Sequence, residues 1–361
     1  MKHTRRLFLT LTLALFTGTV LAAAPTVIRV GIAQPAYGSP PTIGGSTIAI
    51  AHATGAIDQE FKRDHIKVEW YFFKGAGPAV NEALSNRQLD FAFQGDLPSI
   101  IGKAAGLKTR LILATGTRGN LYLAAPPDSP IRSVADLRGK RVAIFKGTNA
   151  QLPIDRLLAA HGLSEKDLKV VNLDTATAQA ALVTKDIDAV FGSYELLKLR
   201  DKGAARIVYT SKGDSPVFTR QGHMLVTDDF ATRYPEQTRR FVTALVRVAH
   251  WSSDEAHRDE VFRLWTRPGT VKFEHWREDY AGQPLRVRLS PLFDPFLTDR
   301  YRDAVEHAYQ FRLIRSKFNV DTWIDRSFLQ ASLKELQLEG YWPVNPAANV
   351  RLAAGGTSRS R

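Results

Sequence analysis

Cysteine is absent from the chain. That single absence excludes disulfides, thiolate metal ligands and a cysteine nucleophile together. Histidine is thinly spread: none of the nine falls into an HExxH or HxH grouping, so no metal-ligand pattern forms. Basic runs are also missing, since no stretch of Lys and Arg reaches five. A net charge of +13 is what a nucleic-acid binder carries. Here, however, acids interleave with bases, as in His257-Arg258-Asp259-Glu260 and Arg277-Glu278-Asp279-Tyr280, which gives a solvated mixed surface and argues against a nucleic-acid partner. The basic mean field still draws anionic ligands toward the protein. Apart from one stretch near the start, no apolar run approaches membrane length. What is present is ample apolar material: 44% of 361 residues, enough for two cores of ordinary size.

The exceptional stretch reads as an export signal. Lys2, Arg5 and Arg6 form a positive n-region, Leu7 to Val20 is apolar but too short to span a membrane, and Leu21-Ala22-Ala23-Ala24 supplies small residues. The Val20-Leu21-Ala22 pattern predicts cleavage after residue 22, whereas cutting after Ala24 would leave Pro25 at the disfavoured first mature position. Thr4-Arg5-Arg6-Leu7-Phe8-Leu9 resembles a twin-arginine signal, so both bacterial export routes stay open. Without a cysteine at the junction the product is not a lipoprotein, and a soluble periplasmic monomer is expected.

Beyond the signal, short apolar runs alternate with helical patterns. Val27–Ala33, Ile66–Phe73, Leu89–Gln94 and Arg110–Thr115 read as strands, separated by loop-and-helix segments. This spacing predicts an α/β architecture with a parallel, doubly wound sheet. A second set of strands is expected at Leu121–Ala125, Ser133–Leu137, 141–145, Leu168–Leu173, Ile187–Phe191 and Ala205–Thr210. His223–Val226 then reads as a strand that returns the chain to the first sheet. Helices are expected over Pro235–Trp251, Thr298–Arg312 and Asp321–Leu338. The implied organisation is a signal at 1–22, a first lobe at 23–119 and a second lobe at 120–218. A helical return at 219–344 completes the first lobe, and the Ala/Gly/Ser/Arg tail at 345–361 is expected to be disordered. In such sheets ligands bind beyond the carboxyl ends of the strands, so two facing lobes would form a cleft.

One stretch organises the candidate chemistry. Lys140 to Gly162 reads as strand, tight loop and helix: apolar Val142–Phe145, then Lys146-Gly147-Thr148-Asn149, then Ile154, Leu157 and Leu158 at helical spacing. The loop offers a hydroxyl, an amide and the first free N–H groups of a helix, a combination that suits a small anion. The same residues also serve a plain helix cap, and both readings stay open here.

Longer segments carry a family resemblance. Phe73-Lys74-Gly75-Ala76-Gly77-Pro78 followed by NEAL, then LDFAFQGDLPSIIGKAAG, then SPIRSVADLRGKRVAIFKGTNAQ, are similar to periplasmic substrate-binding components of ABC importers, within them the aliphatic-sulfonate, taurine and nitrate group. The resemblance covers about residues 27 to 230 well and 235 to 340 more loosely. It implies a two-lobed type II binding fold, each lobe a doubly wound sheet flanked by helices, closing on a small anion and delivering it to an inner-membrane permease, with no cofactor or metal. It places ligand-binding elements at Gln34, Gly45, Ser46, Gly77, Gly95, Asp96, Thr148, Asn149 and Ala150. Where relatives show Trp-x-Pro this chain has Gly192-Ser193-Tyr194-Glu195, which shifts the aromatic wall to Tyr194; Glu195 is expected to point away. Asp96 and Ser46 also read as helix caps, and Lys74 and Lys146 as solvent-exposed neighbours of the loops. Trp251, Trp265 and Trp276 read as core or lid residues.

The rival class is an enzyme on the same fold. Desulfinases of this fold need a cysteine nucleophile, which is missing, and no GxSxG elbow supports a serine triad. Relatives acting in pyrimidine synthesis for thiamine keep an enzyme or a heterocycle-binding reading in view.

Overall fold

The computed structural model describes residues 24–344; the expected export signal and C-terminal tail lie outside the described residues. Two five-stranded sheets organise the rest. The first contains β1 (Val27–Ile32), β2 (Lys67–Phe72), β3 (Phe91–Gly95), β4 (Thr109–Gly119) and β10 (Arg220–Thr227), in the order β2-β1-β3-β10-β4. The second contains β5 (Tyr122–Ala125), β6 (Arg141–Ala143), β7 (Lys169–Val171), β8 (Ala189–Gly192) and β9 (Arg206–Thr210), ordered β7-β6-β8-β5-β9.

Alternation explains why these runs are strands. Ile28, Val30 and Ile32 of β1 all enter one core, with Phe91, Phe241 and Leu245, while Ala92 of β3 faces the opposite core with Val80, Leu97 and Tyr301. In the second sheet Leu123 and Ala125 face one cluster and Tyr122 and Ala124 the other. Each sheet is thus covered on both faces, as a doubly wound fold requires.

Three expectations change. Neither sheet is wholly parallel: β10 runs antiparallel to β3 and β4, and β5 antiparallel to β8 and β9. Both strands adjoin a crossing between the sheets; β10 enters its sheet from the end at which β4 leaves it. Ser133–Leu137 is a 3-10 turn, because Ser133 and Asp136 form a reciprocal capping box that satisfies the backbone without a ladder. Asp321–Leu338 is split into Val320–Trp323 and Ser327–Glu335, where Ile324 bridges Leu111 and the Asp325 N–H donates to the Leu111 carbonyl.

The C-terminal helices join the halves. Helix Pro235–Ser253 packs against the first sheet's core. Helix Phe273–Asp279 reaches the second lobe, where Arg200 forks onto Glu278 and His275 meets Asp201 at 2.7 Å. On another side Arg156, 3% exposed, crosses from helix Gln151–Ala160 to Asp303 at 2.7 Å on helix Pro295–Gln310.

Candidate functional site

The carboxyl ends of strands from both sheets converge on one cleft of about 340 Å³. Gln34 follows β1, Lys74 follows β2 and Gly95 ends β3 on one wall. On the other, Phe145, Thr148, Asn149 and Ala150 follow β6, Asp174 follows β7 and Ser193-Tyr194-Glu195 follow β8. Nine of the ten sequence-derived candidates line it: Gln34, Gly45, Ser46, Gly77, Gly95, Thr148, Asn149, Ala150 and Tyr194.

Asp96 is the exception. It is the first residue of helix Asp96–Ala104 and lies behind the wall at 2% exposure, with the Leu97 N–H donating to its Oδ1 at 2.9 Å. Burial pushes its carboxyl up to about 6, with Arg156 opposing from the other lobe. A buried carboxylate that already draws on its own helix and on a neighbouring guanidinium is turned from a ligand, so the structure places Asp96 in the support and not in the lining. Gly95, not Asp96, holds the cap position.

The hydroxyls differ in where their protons go. Thr148 Oγ1 donates to the Phe145 carbonyl at 2.7 Å and accepts from the Ala150 N–H at 3.4 Å, so its proton is held inside its own loop. Ser46 caps helix Thr47–Thr54 by accepting from Ala49 N–H at 3.4 Å, and its proton has no acceptor among the described residues. The Tyr194 ring packs on Trp276 with centroids 3.9 Å apart, and its hydroxyl lies 3.2 Å from where a Cβ on Gly45 would stand. Burial raises that phenol's pKa far above the ordinary value, so it stays a neutral donor. Gly45, at φ +86°, is held there by both the left-handed backbone and the crowding rings.

The lobes touch across this cleft. A Cβ on Gly95 would fall 2.1 Å from the Asn149 Cβ, and one on Gly147 would fall 3.3 Å from Pro78. Asn149 Nδ2 reaches the Gln221 carbonyl at 3.5 Å. Gln34 Nε2 donates to the Gly44 carbonyl at 3.3 Å and holds the loop before Ser46. Gly77 lies so close to Pro98 (2.3 Å at the Cβ position) that its place in the wall is set by packing.

Sequence reasoning missed several lining residues. Arg220 opens β10, and Gln94 sits on β3 with Nε2 fixed by Asn81 Oδ1 at 3.1 Å and Oε1 left without a donor. Arg288 also lines the cleft, with Nη2 3.3 Å from Asp279. Glu195 does not point away: it lines the cleft, its carboxylate turned onto the Ser193 hydroxyl and onto the Ser193 N–H at 3.0 Å. Lys74 is exposed, as expected, yet stands at the mouth; Lys146 is exposed and pairs with Glu165 at 2.7 Å. Trp276 is both core and wall. The Glu195 orientation carries no sequence signal, and Arg220 becomes visible only once both crossings are placed side by side. Among the described residues no cluster of His, Asp and Glu suits a metal ion.

The model of the family described as NMT1/THI5 like matches residues 61–256. The chain belongs to the NMT1/THI5-like family. Within reach of this family member is a Bacillus subtilis (strain 168) protein named for binding aliphatic sulfonates, 27% identical over 315 residues, covering 85% of this chain and 88% of the relative. A crystal structure from Methylobacillus flagellatus KT, described as a periplasmic sulfonate-binding protein of a sulfonate ABC transporter, is 30% identical. It superposes with a TM-score of 0.78 over 90% of this chain and 99% of its own. The α/β fold with two mixed five-stranded sheets is therefore that of sulfonate-binding periplasmic proteins. A desulfurization enzyme shares the fold alone, at 17% identity and a TM-score of 0.65 over 86% of this chain and 99% of its own.

Proposed function

We propose that this NMT1/THI5-like protein is the extracytoplasmic solute-binding component of an ABC importer, a periplasmic monomer that captures an aliphatic sulfonate between its lobes and delivers it to a membrane permease. One observation carries the reading: residues with neutral donors from both lobes, namely the Ser46 and Tyr194 hydroxyls and the Asn149 N–H, line one cleft at the strand ends. A sulfonate is charged at every physiological pH, and spread neutral donors hold it best when water is excluded between closed lobes. The names of the Bacillus and Methylobacillus relatives support the ligand class. The lack of cysteine speaks against chemistry of the desulfurization type.

A thermal-shift series with ethanesulfonate, taurine, nitrate and a pyrimidine tests this, because a ligand that binds only the folded state raises its melting temperature. Stabilisation by ethanesulfonate without its consumption is expected. A shift with the pyrimidine alone, or turnover of the sulfonate, would overturn the assignment.

A further inference from the structure

We propose that Arg220 reads the ligand's charge, and that the cleft is matched to a head group carrying a single negative charge. The inference rests on the sulfonate-class reading above and names the residue and valence that the reading leaves open.

Four basic side chains line the cleft: Lys74, Lys198, Arg220 and Arg288. Arg288 is already answered, for its Nη2 meets Asp279 at 3.3 Å and its guanidinium lies 4.0 Å over the Tyr280 ring. Two carboxylates share the lining, Asp174 and Glu195. Asp174 is held below the usual carboxylate range by the Thr177 hydroxyl first and by helix N–H groups and Lys74 in smaller part, so it is ionised. With Lys74 and Lys198 set against these two carboxylates, the lining keeps one uncompensated charge, that of Arg220.

Arg220 is half-buried, and its one hydrogen bond among the described residues runs from Nε to the Asn120 carbonyl at 3.3 Å. No described carboxylate pairs with it, which leaves Nη1 and Nη2 as open donors. A partly desolvated guanidinium without acceptors is unfavourable, and an oxyanion supplies two parallel acceptors at the spacing of that fork. Its position adds a second consequence. Arg220 is the first residue of β10, in register with Gly119 at the end of β4, and it donates to the backbone of Asn120. One side chain thereby touches both chain crossings between the lobes. The glycine opposite leaves room for the group, with Nη2 3.5 Å from where a Cβ on Gly119 would be. An anion seated on this fork lies at the hinge, where donors from either wall close over it. A monoanion cancels the one spare charge, whereas a dianion leaves excess negative charge beside Asp174 and Glu195.

Calorimetric titration with three isosteric probes tests this: ethanesulfonate, ethylphosphonate at an alkaline pH where it is dianionic, and uncharged ethyl methyl sulfone. The unmutated protein should prefer ethanesulfonate over both others, a comparison that needs no substitution. Arg220→Gln should weaken ethanesulfonate by about tenfold to a hundredfold. Its unliganded melting temperature should be unchanged, and the salt dependence of its affinity flattened. Arg220→Lys should recover part of the loss, since it keeps the charge without the fork. Wild-type affinity in Arg220→Gln, or preference of the unmutated protein for the dianion, would overturn the proposal and leave the sulfonate reading standing. If ethanesulfonate, taurine and nitrate all fail to bind the unmutated protein, the functional reading itself fails and takes this one with it.

Discussion

Gly95→Ala separates the ligand-bound, closed molecule from either lobe alone. Gly95 has φ −88° and ψ 176°, extended backbone that alanine adopts without strain. The closest contacts of a methyl group lie across the cleft: the three nearest atoms to the new Cβ all belong to Asn149 of the facing lobe, at 2.1, 2.9 and 3.1 Å. Carbon atoms rest about 3.5–4.0 Å apart, so Asn149 would have to retreat by roughly 1.5 Å. It cannot do so alone, because Gly147 two residues earlier is also pressed toward Pro78 of the first lobe. Overpacking of this kind costs roughly 1–3 kcal/mol. Since the clash exists only while the lobes touch, that cost falls on closure and lowers affinity by about fivefold to a hundredfold. The unliganded melting temperature should hold or rise slightly, as a strand residue loses glycine's excess unfolded entropy. Calorimetry with ethanesulfonate and small-angle scattering with and without it provide the readout. The variant should bind weakly and compact less. Unchanged affinity together with unchanged compaction would refute the reasoning, for it would mean that Gly95 and Asn149 do not meet in the bound state. Adding Asn149→Gly removes the opposing Cβ and should restore part of the closure.

Three further substitutions test the surroundings of the cleft. Thr148→Ala removes a loop bond to the Phe145 carbonyl, and should cost about 1 kcal/mol of stability while sulfonate affinity stays within a few fold; a large affinity loss at constant melting temperature would show that the hydroxyl turns to the ligand. Asp155 lies against Glu165, and burial together with that neighbour pushes its carboxyl up to about 8. An unfolded aspartate ionises near pH ~4, so the folded state loses stability as pH rises from there to about 8 and no further; Asp155→Asn should therefore raise the melting temperature at pH 8 and leave it unaltered near pH ~4, and a gain of equal size at both values would contradict the assignment. Arg156→Gln breaks the 2.7 Å pair to Asp303 between the lobes, a charged hydrogen bond worth roughly 1.5–3 kcal/mol, and should weaken ligand binding though Arg156 touches no ligand position; wild-type affinity would mean that the pair forms equally in the open molecule.

The fold was legible where short apolar runs are bounded by turn residues. β1 and β3 read as buried strands, and the run His223–Val226 announced the returning strand although β4, one of the two strands it pairs with, ends back at Gly119. Two failures have different causes. Ser133–Leu137 mixes apolar and polar residues as a short strand does, but a local capping box between Ser133 and Asp136 closes it as a turn. Asp321–Leu338 has helical spacing, yet long-range pairing of Ile324 with Leu111 interrupts it. The antiparallel direction of β5 and β10 follows from how the chain enters and leaves each sheet, which no residue pattern encodes.

The site was legible to the level of loops and not to the level of atoms. Strand-to-helix spacing located both walls, because ligand loops of such sheets must lie at the carboxyl ends. Which group acts on a ligand depends on where each proton is already committed. Thr148 and Ser46 are both hydroxyl residues beside helix starts, but Thr148 has donated inward to Phe145 and Ser46 donates to none of the described residues. Asp96 and Glu195 are both acids after strand ends, but one is buried behind the wall and the other lines it. The hydroxyl distinction is settled within each loop, by bonds that span three residues and that loop geometry decides. The charge depends on distant segments: the walls contribute neutral donors that each lobe could present alone, whereas Arg220 meets Asn120 only where the two crossings run side by side. If the proposed role of Arg220 holds, recognition and closure are joined at that point, since its side chain bonds one crossing while its backbone belongs to the other.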